Sequence, residues 1–134
     1  MSQTNVEVVR DVMRAFNDRD DSAMSHYAED AEFRLIGGFS GMAGENLRGR
    51  EAIRRFAWEL IDNLQARFVV EQLFEADDRV VLIASAVGAG DASGAGVEWR
   101  WGQVYTFGDG LITEVDNYWD ADEALEAAAK RRGP

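Results

Sequence analysis

The hydrophobic residues of this chain change their spacing once, near Arg67. Before it, apolar residues recur every three or four positions, as on one face of a helix; after it, they alternate with polar residues, as in half-buried strands. Short turn sequences separate runs at 67–75, 79–88, 96–108 and 111–119, which predicts four consecutive antiparallel strands. Helices grouped first and strands grouped last predict an α+β fold in which helices cover one face of a bent sheet.

The N-terminal half carries signals for where its helices begin. Thr4 and Glu7 have the spacing of a capping box, so the first helix is predicted to follow Thr4. Asp21 or Ser22 is predicted to cap a short second helix that carries Met24 and Tyr27.

One strand and two further helices are also predicted. The segment "AEFRLI" at 31–36 is predicted to be a strand, and a glycine-rich loop follows it. Asp120 and Glu123 form a second capping pattern before a short C-terminal helix at 121–132. A third helix is predicted from one apolar face: Ile53, Phe56, Ala57, Leu60, Ile61 and Leu64.

Length and composition limit the classes of protein to which this chain can belong. At 134 residues with 46% hydrophobic and 29% charged residues, we expect 1–134 to form a single globular domain. The chain has no cysteine, which excludes disulfides, thiolate metal sites and thiol nucleophiles. It has one histidine, His26, so metal binding by several histidines is nearly excluded as well. We therefore expect no metal and no cofactor. His26 is predicted to lie on the solvent side of its helix.

The formal net charge of −11 would repel phosphate backbones and anionic lipids, so neither nucleic acid nor a membrane is an expected partner. No segment approaches the ~20 apolar residues that a membrane-spanning helix needs. The first residues show no basic segment followed by an apolar run. The predicted localisation is cytoplasmic.

The segment 97–120 holds three of the four tryptophans. Its turn "GDG" fits a three-residue hairpin loop, which would place Gln103 opposite Val115 and make Gln103 and Asn117 diagonal neighbours. Asp116 would then point to solvent on the other face. Strand alternation predicts one buried face made of Trp99, Trp101, Gln103, Tyr105, Phe107, Leu111, Thr113, Val115, Asn117 and Trp119.

Two uncharged amides on an aromatic wall allow two interpretations. Ala84 and Ala86 are small residues at inward positions of the neighbouring strand, and small residues opposite large ones leave volume for a ligand. We favour this ligand cavity. The alternative is a packed core in which the two amides satisfy one another or a backbone group.

Three segments resemble the nuclear transport factor 2-like superfamily, in particular its SnoaL-like and ketosteroid isomerase-like branch. They are "VMRAFNDRDDSAMSHYAEDAEFRL", "LRGREAIRRF" and "VYTFGDGLITEVDNYWD", and together they cover almost the whole chain. The resemblance implies a cone-shaped α+β barrel, in which a curved antiparallel sheet wraps around the helices and leaves a deep apolar pocket at its open end.

The resemblance also implies where catalytic groups should lie. Ketosteroid isomerases carry a carboxylate base where this chain has Leu35, and an acidic hydrogen-bond donor where it has Gln103. The Arg–Asp–Asp set of limonene epoxide hydrolase-like members corresponds to Ala84, Ala86 and Asn117, so that set is absent. SnoaL-like cyclases have an acidic residue near Asn117 and a polar partner near Gln103. Both are amides here, which puts direct acid–base chemistry in doubt and predicts neutral hydrogen-bond donors.

Together these features predict an enzyme, a SnoaL-like cyclase or isomerase acting on a hydrophobic, carbonyl-bearing substrate such as a polyketide or terpenoid. The expected catalytic residues are Asn117, Gln103 and Tyr27. Expected substrate-binding residues are Trp99, Trp101, Trp119, Tyr105, Val115, Leu35, Phe33, Phe56, Ala84 and Ala86.

Two alternatives stay open: a non-catalytic carrier or sensor for a hydrophobic small molecule, and an assembly module with a vestigial pocket. Whether Trp58 reaches the pocket is also open. A homodimer is not decided, because the outward face of the hairpin carries Glu98, Arg100, Glu114 and Asp116 and is very polar.

Overall fold

The computed structural model describes residues 4–36, 46–76, 78–88 and 97–130. Beyond Gly88, the predicted loop at 88–96 lies outside these ranges, as do the glycine-rich loop at 37–45 and residues 131–132 of the predicted C-terminal helix. The elements in chain order are α1 (Asn5–Asn17), a 3₁₀ helix (Asp21–His26), β1 (Tyr27–Ile36), β2 (Leu47–Arg48), α2 (Arg50–Leu64), β3 (Ala66–Ala76), β4 (Arg79–Gly88), β5 (Val97–Gly108), β6 (Leu111–Tyr118) and α3 (Ala121–Lys130).

The six strands form one curved, unclosed sheet in the order β2-β1-β6-β5-β4-β3. This confirms the α+β class and the four consecutive strands. The prediction of a wholly antiparallel sheet is wrong in one place, because β1 pairs with β6 in parallel. The mixed pairing arises because β1 and β6 lie far apart in sequence, so no tight hairpin turn fixes their relative direction.

The helices divide between the two faces of the sheet. We call the face that α1, the 3₁₀ helix and α2 cover the inner face, and the opposite one, which α3 covers in part, the outer face. The larger hydrophobic core lies on the inner face. No helix within the described ranges combines the length and the apolar character needed to cross a bilayer.

The predicted start of α1 is confirmed. The Glu7 amide donates to Thr4 Oγ1 at 3.2 Å, and the Thr4 amide donates to Glu7 Oε1 at 3.0 Å, so the capping box satisfies two backbone donors. Val9 and Val12 are fully buried against the sheet. Capping and a single apolar face together place α1 across the inner face.

The short second helix differs from its prediction. Asp20, rather than Asp21 or Ser22, caps it, because its Oδ1 accepts the Ser22 amide at 2.9 Å. The helix is of the 3₁₀ type and ends at His26, so Tyr27 is the first residue of β1 rather than part of the helix.

His26 also differs from its prediction. Its side chain is 18% exposed, and its Nε2 lies 2.8 Å from Asp11 Oδ2. It is therefore packed against α1 instead of facing solvent.

The β5–β6 hairpin turns in two residues instead of the predicted three. Asp109 and Gly110 both have positive φ, at 52° and 81°, and Gly108 pairs with Leu111. This is the conformation that an Asp-Gly pair favours, because its twist matches that of the flanking strands. A bulge at Thr113 then shifts the register by one more residue.

The two shifts add, so Gln103 lies directly opposite Asn117 and Tyr105 directly opposite Val115. The predicted face is therefore correct for these residues, although their predicted partners were wrong. Near the turn the prediction fails, because the bulge places the fully buried Ile112, instead of Leu111 and Thr113, in the inner core.

The outer face is less exposed than predicted. Asp116 does point away from the inner face, but its side chain is only 7% exposed, and its Oδ1 accepts from Arg34 Nε at 2.6 Å. Arg34 also donates to Glu114 at 3.0 Å. The prediction that Asp116 faces solvent is wrong, because an arginine on the adjacent strand covers it.

Candidate functional site

A small, partly open cavity lies between the helices and the inner face. The volume that the centre of a water molecule can occupy in it is about 40 Å³. Since one water needs roughly 10–15 Å³ of such space, the cavity has room for about three waters. Its apolar lining consists of Met13, Phe16, Phe33, Phe56, Ala57, Leu60, Phe68, Trp99 and Trp101.

Three polar side chains complete the lining: Tyr27, Gln103 and Asn117. They are 1%, 5% and 3% exposed, so each needs a hydrogen-bond partner within the protein. Among the described residues that line this cavity there is no carboxylate and no imidazole.

Two of these groups, Gln103 and Asn117, belong to one chain of hydrogen bonds that begins at Tyr105, whose side chain interacts with that of Tyr27. Tyr105 Oη donates to Gln103 Oε1 at 2.6 Å, and Gln103 Nε2 donates to Asn117 Oδ1 at 2.6 Å. Asn117 Nδ2 donates to the backbone carbonyl of Arg34 at 3.1 Å. A carbonyl of β1 thus anchors a network that spans β6 and β5.

That anchor fixes the orientation of every member. The Arg34 carbonyl can only accept, so Asn117 must turn its NH₂ toward β1 and its oxygen toward Gln103. Gln103 then donates to Asn117 and accepts from Tyr105, whose single proton is thereby used.

The two amides keep donors that the network does not use. Gln103 Nε2 and Asn117 Nδ2 each carry a second proton, with no acceptor among the described residues. Because both side chains line the cavity, these N–H groups are the donors that its polar side can offer to a guest molecule.

Burial keeps both phenols neutral. Loss of solvent raises the pKa of Tyr27 above its usual range, although its bond to Tyr105 opposes this. Burial likewise raises the pKa of Tyr105 well above its usual value. The network is therefore uncharged throughout the physiological pH range.

The structure brings seven of the predicted site residues to the cavity. Five others lie behind it, buried in the same core: Leu35, Ala84, Ala86, Tyr105 and Val115. The seven that line it are Tyr27, Phe33, Phe56, Trp99, Trp101, Gln103 and Asn117.

Trp119 lies apart from both groups. It follows the end of β6 and is 43% exposed, although its ring lies 5.1 Å from that of Trp99. It extends the stack of indole rings outward to the surface and is not part of the cavity lining.

The predicted pairing of small with large residues is present on β4 and β5. Ala84 lies opposite Trp101, and Ala86 lies opposite Trp99. The two indoles stack on one another with centroids 5.2 Å apart. Both indoles line the cavity, whereas Ala84 and Ala86 lie behind it.

Sequence reasoning missed five lining residues: Met13, Phe16, Ala57, Leu60 and Phe68. The first four lie on the apolar faces of α1 and α2, and Phe68 lies on β3, where its ring contacts that of Trp101 at 5.3 Å. The apolar helix faces were visible in the sequence. Their contribution to the cavity lining could have been inferred from the need of both faces to pack against β5, which carries Trp99 and Trp101.

Trp58 does not line the cavity. Its Nε1 donates to Asp21 Oδ1 at 3.0 Å, and its ring meets that of Phe16 edge to face at 5.6 Å. It therefore packs α2 against the 3₁₀ helix and α1, behind the cavity wall.

Comparison with known proteins places this geometry in a family. Residues 9–115 match the SnoaL-like domain. No curated protein sequence matches the chain.

Solved structures of similar fold cover nearly the whole chain. TerC, crystallised with polyporic acid, is 22% identical with a TM-score of 0.73 over 93% of this chain and 98% of its own. RV0760c from Mycobacterium tuberculosis, in complex with estradiol-17beta-hemisuccinate, is 23% identical with a TM-score of 0.70 over 86% of this chain and 92% of its own.

A hypothetical protein with a ketosteroid isomerase-like fold from Catenulispora acidiphila, in complex with trimethylamine, is 17% identical with a TM-score of 0.70, over 94% of this chain and 95% of its own. At these identities the likeness establishes the fold. Together with the match over 9–115, it shows that this chain belongs to the SnoaL-like family of the nuclear transport factor 2-like superfamily.

Proposed function

We propose that this protein binds a hydrophobic small molecule that carries a carbonyl group, with its apolar body against Trp99 and Trp101, and that the cavity, which has room for about three waters, widens to admit it. The observation that carries this proposal is the orientation of the hydrogen-bond chain, which leaves a second N–H unused on Gln103 and on Asn117, two side chains that line a mostly apolar cavity. A carbonyl oxygen is the group that two such donors match. The ligands held by TerC and by RV0760c in their structures, polyporic acid and estradiol-17beta-hemisuccinate, support a hydrophobic guest.

A matched pair of tricyclic compounds tests the carbonyl. Fluorenone and fluorene share a ring system, and only fluorenone has a carbonyl. Titration calorimetry should give fluorenone an affinity about 2- to 12-fold higher, the equivalent of one net hydrogen bond. Asn117→Leu should remove the preference, because it deletes one donor and frees the Gln103 amide to turn. Equal affinities in the unsubstituted protein would contradict the proposed role of the amides.

Catalysis of cyclisation or isomerisation is a second candidate, supported by one observation. Two preorganised N–H donors in a water-poor site resemble an oxyanion-stabilising arrangement, and a single such donor can contribute roughly 10²–10³ in rate. The cavity lining among the described residues contains no base. The chemistry that fits is therefore ring closure of a substrate that is already enolised and folded by the aromatic wall. Its enol carbon forms the new C–C bond to a carbonyl carbon, the C=O π bond breaks, and the enol proton passes to the new alkoxide oxygen within the substrate.

Turnover assays separate the enzyme from the binding protein. A panel of cyclic ketones, epoxides and linear polyene precursors would be incubated with the protein and analysed by mass spectrometry. Catalysis by neutral donors is supported if the unsubstituted protein forms product and the Gln103→Leu and Asn117→Leu variants form less of it. Binding without turnover across the panel favours a carrier or sensor.

A further inference from the structure

Two side chains of α2 line both the small cavity and a larger, more open groove. They are Phe56 and Leu60, about one helical turn apart. The volume open to the centres of water molecules is about 390 Å³ in the groove and about 40 Å³ in the cavity. Its other described lining residues are Leu47, Ala52, Arg55, Glu59 and Asn63.

Neither space is a sufficient site alone. Small-molecule sites have volumes of roughly 300–1,000 Å³ and bury most of the ligand. The cavity, at about 40 Å³, is far smaller than this range, while the groove has the volume but is open to solvent. A ligand that occupies both would gain the aromatic wall from one and the volume from the other.

The side chains that line both spaces are not the ones that hold α2 in place. Ile53 and Ile61, at 0% and 3% exposed, hold α2 against the core. Phe56 and Leu60 are only partly buried, and the ring of Phe56 contacts that of Phe33 at 5.8 Å. A change of side-chain rotamer at Phe56 would open the cavity to the groove.

The groove also carries an available positive charge. Arg54 is bound to Asp21 at 3.0 Å, whereas its neighbour Arg55 is exposed and has no ion pair with any described residue. A positive charge that is not neutralised attracts an anion, even though the chain as a whole carries −11. Glu59, on the same face of α2, opposes this attraction. Removing its charge should therefore strengthen the binding of an anion, the opposite of the effect expected at Arg55.

We infer that Phe56 and Leu60 form a gate through which the cavity and the groove become one elongated site, and that this site takes an aromatic molecule with an anionic group bound by Arg55. This inference rests on the proposed function, since the aromatic body of the ligand occupies the same cavity.

A pair of fluorescent probes tests the charge. 8-Anilinonaphthalene-1-sulfonate and N-phenyl-1-naphthylamine share one ring system, and only the former carries a sulfonate. Arg55→Gln should weaken the sulfonate probe about 2- to 5-fold, as expected for an exposed charge pair, and leave the neutral probe unchanged. Glu59→Gln should tighten the sulfonate probe. Arg67→Gln, an equal change of charge on the exposed side of β3, is the control and should alter neither affinity.

The gate is tested by the rate of association. Stopped-flow quenching of tryptophan emission by the neutral probe should be about 5-fold faster or more in Phe56→Ala, if opening limits entry. Phe74→Ala removes a ring of the same size from the outer face and should leave the rate unchanged.

The outcomes separate this inference from the proposed function. If the neutral probe binds and quenches the tryptophans but Arg55→Gln and Phe56→Ala have no effect, the inference is overturned and the proposed function stands. If neither probe reaches the tryptophans in the unsubstituted protein, both are overturned. Selective loss of the sulfonate probe in Arg55→Gln together with faster entry in Phe56→Ala supports the elongated site.

Discussion

Gln103 and Asn117 lie directly opposite one another on β5 and β6, and Gln103 Nε2 donates to Asn117 Oδ1 at 2.6 Å. This bond joins the two halves of a network that runs from the Tyr105 hydroxyl to the Arg34 carbonyl. Because each bond determines the direction of the next, the network acts as one unit, and substitutions within it should be coupled.

A double-mutant cycle measures that coupling. Asn117→Leu leaves a buried donor of Gln103 without an acceptor and should lower the free energy of unfolding by about 1–3 kcal/mol. Gln103→Leu should cost a similar amount. The double variant removes both amides and should be destabilised by clearly less than the sum of the two single effects, as measured by urea denaturation.

Gln72→Leu is the control for this cycle, since Gln72 is exposed on β3 and should change stability by less than about 0.5 kcal/mol. Strictly additive single effects would show that the two amides do not depend on one another.

Asp116 should matter for stability and not for the ligand. Asp116→Asn removes the negative partner of Arg34 from a position where the carboxylate is 7% exposed, and should cost about 1–3 kcal/mol. The affinity for fluorenone should be unchanged, because Asp116 lies on the outer face. Denaturation and calorimetry on the same variant check both statements. Loss of ligand affinity with intact stability would reverse the assignment of the two faces.

The two buried tyrosines should resist ionisation. Burial raises the pKa of both Tyr27 and Tyr105, so the native state holds two protons that the unfolded state releases near pH 10. Their contribution to stability is therefore fully present below about pH 10 and decreases as the pH rises above it. A spectrophotometric titration at 295 nm should show both phenols ionising only when the protein unfolds.

The same network predicts flat ligand binding between about pH 6 and 9, since amides and neutral phenols do not titrate there. A reversible phenol ionisation in the native protein near pH 10, with the tertiary structure intact, would contradict the burial of this pair.

Ligand binding should be reported by two of the four tryptophans. An apolar polycyclic ligand should quench emission through Trp99 and Trp101, which line the cavity, whereas Trp119 is 43% exposed. Replacing Trp119 by Phe should therefore preserve most of the quenching, and replacing Trp101 by Phe should remove a large part of it. Quenching that depends mainly on Trp119 would place the ligand on the surface.

Gly102 should not tolerate a side chain. A Cβ at this position would lie 2.3 Å from the Cβ of Ala124, so α3 would have to move away from the outer face. Gly102→Ala should destabilise the protein by about 1–3 kcal/mol, as other overpacked sites do.

Ala124→Gly provides the complementary change, since it removes the methyl group that Gly102→Ala would meet. In thermal unfolding the double variant should be more stable than the sum of the two single effects implies. A fully additive pair would show that α3 does not pack on Gly102.

Several features of this protein are determined locally by its sequence. The capping box at Thr4 and Glu7 needs only residues three apart, and the change of hydrophobic spacing near Arg67 needs only neighbours along the chain. Strand alternation likewise placed Trp101, Gln103 and Asn117 on one face. These inferences succeeded because the interactions that decide them lie within one turn of helix or one strand.

Tertiary structure decided the partner of each residue. The hairpin turned in two residues and then acquired a bulge at Thr113, and the two shifts together changed the partner of Gln103 from Val115 to Asn117 while leaving its face unchanged. A shift of two residues preserves the face because side chains alternate with a period of two, so the sequence pattern contained no information about it.

The environment of Asp116 was decided in the same way. Arg34, which covers it, is 82 residues away in sequence and reaches it only because β1 pairs in parallel with β6. Composition and periodicity describe which face a residue takes. They do not describe which distant strand lies beside it, because that choice depends on the packing energy of the whole sheet.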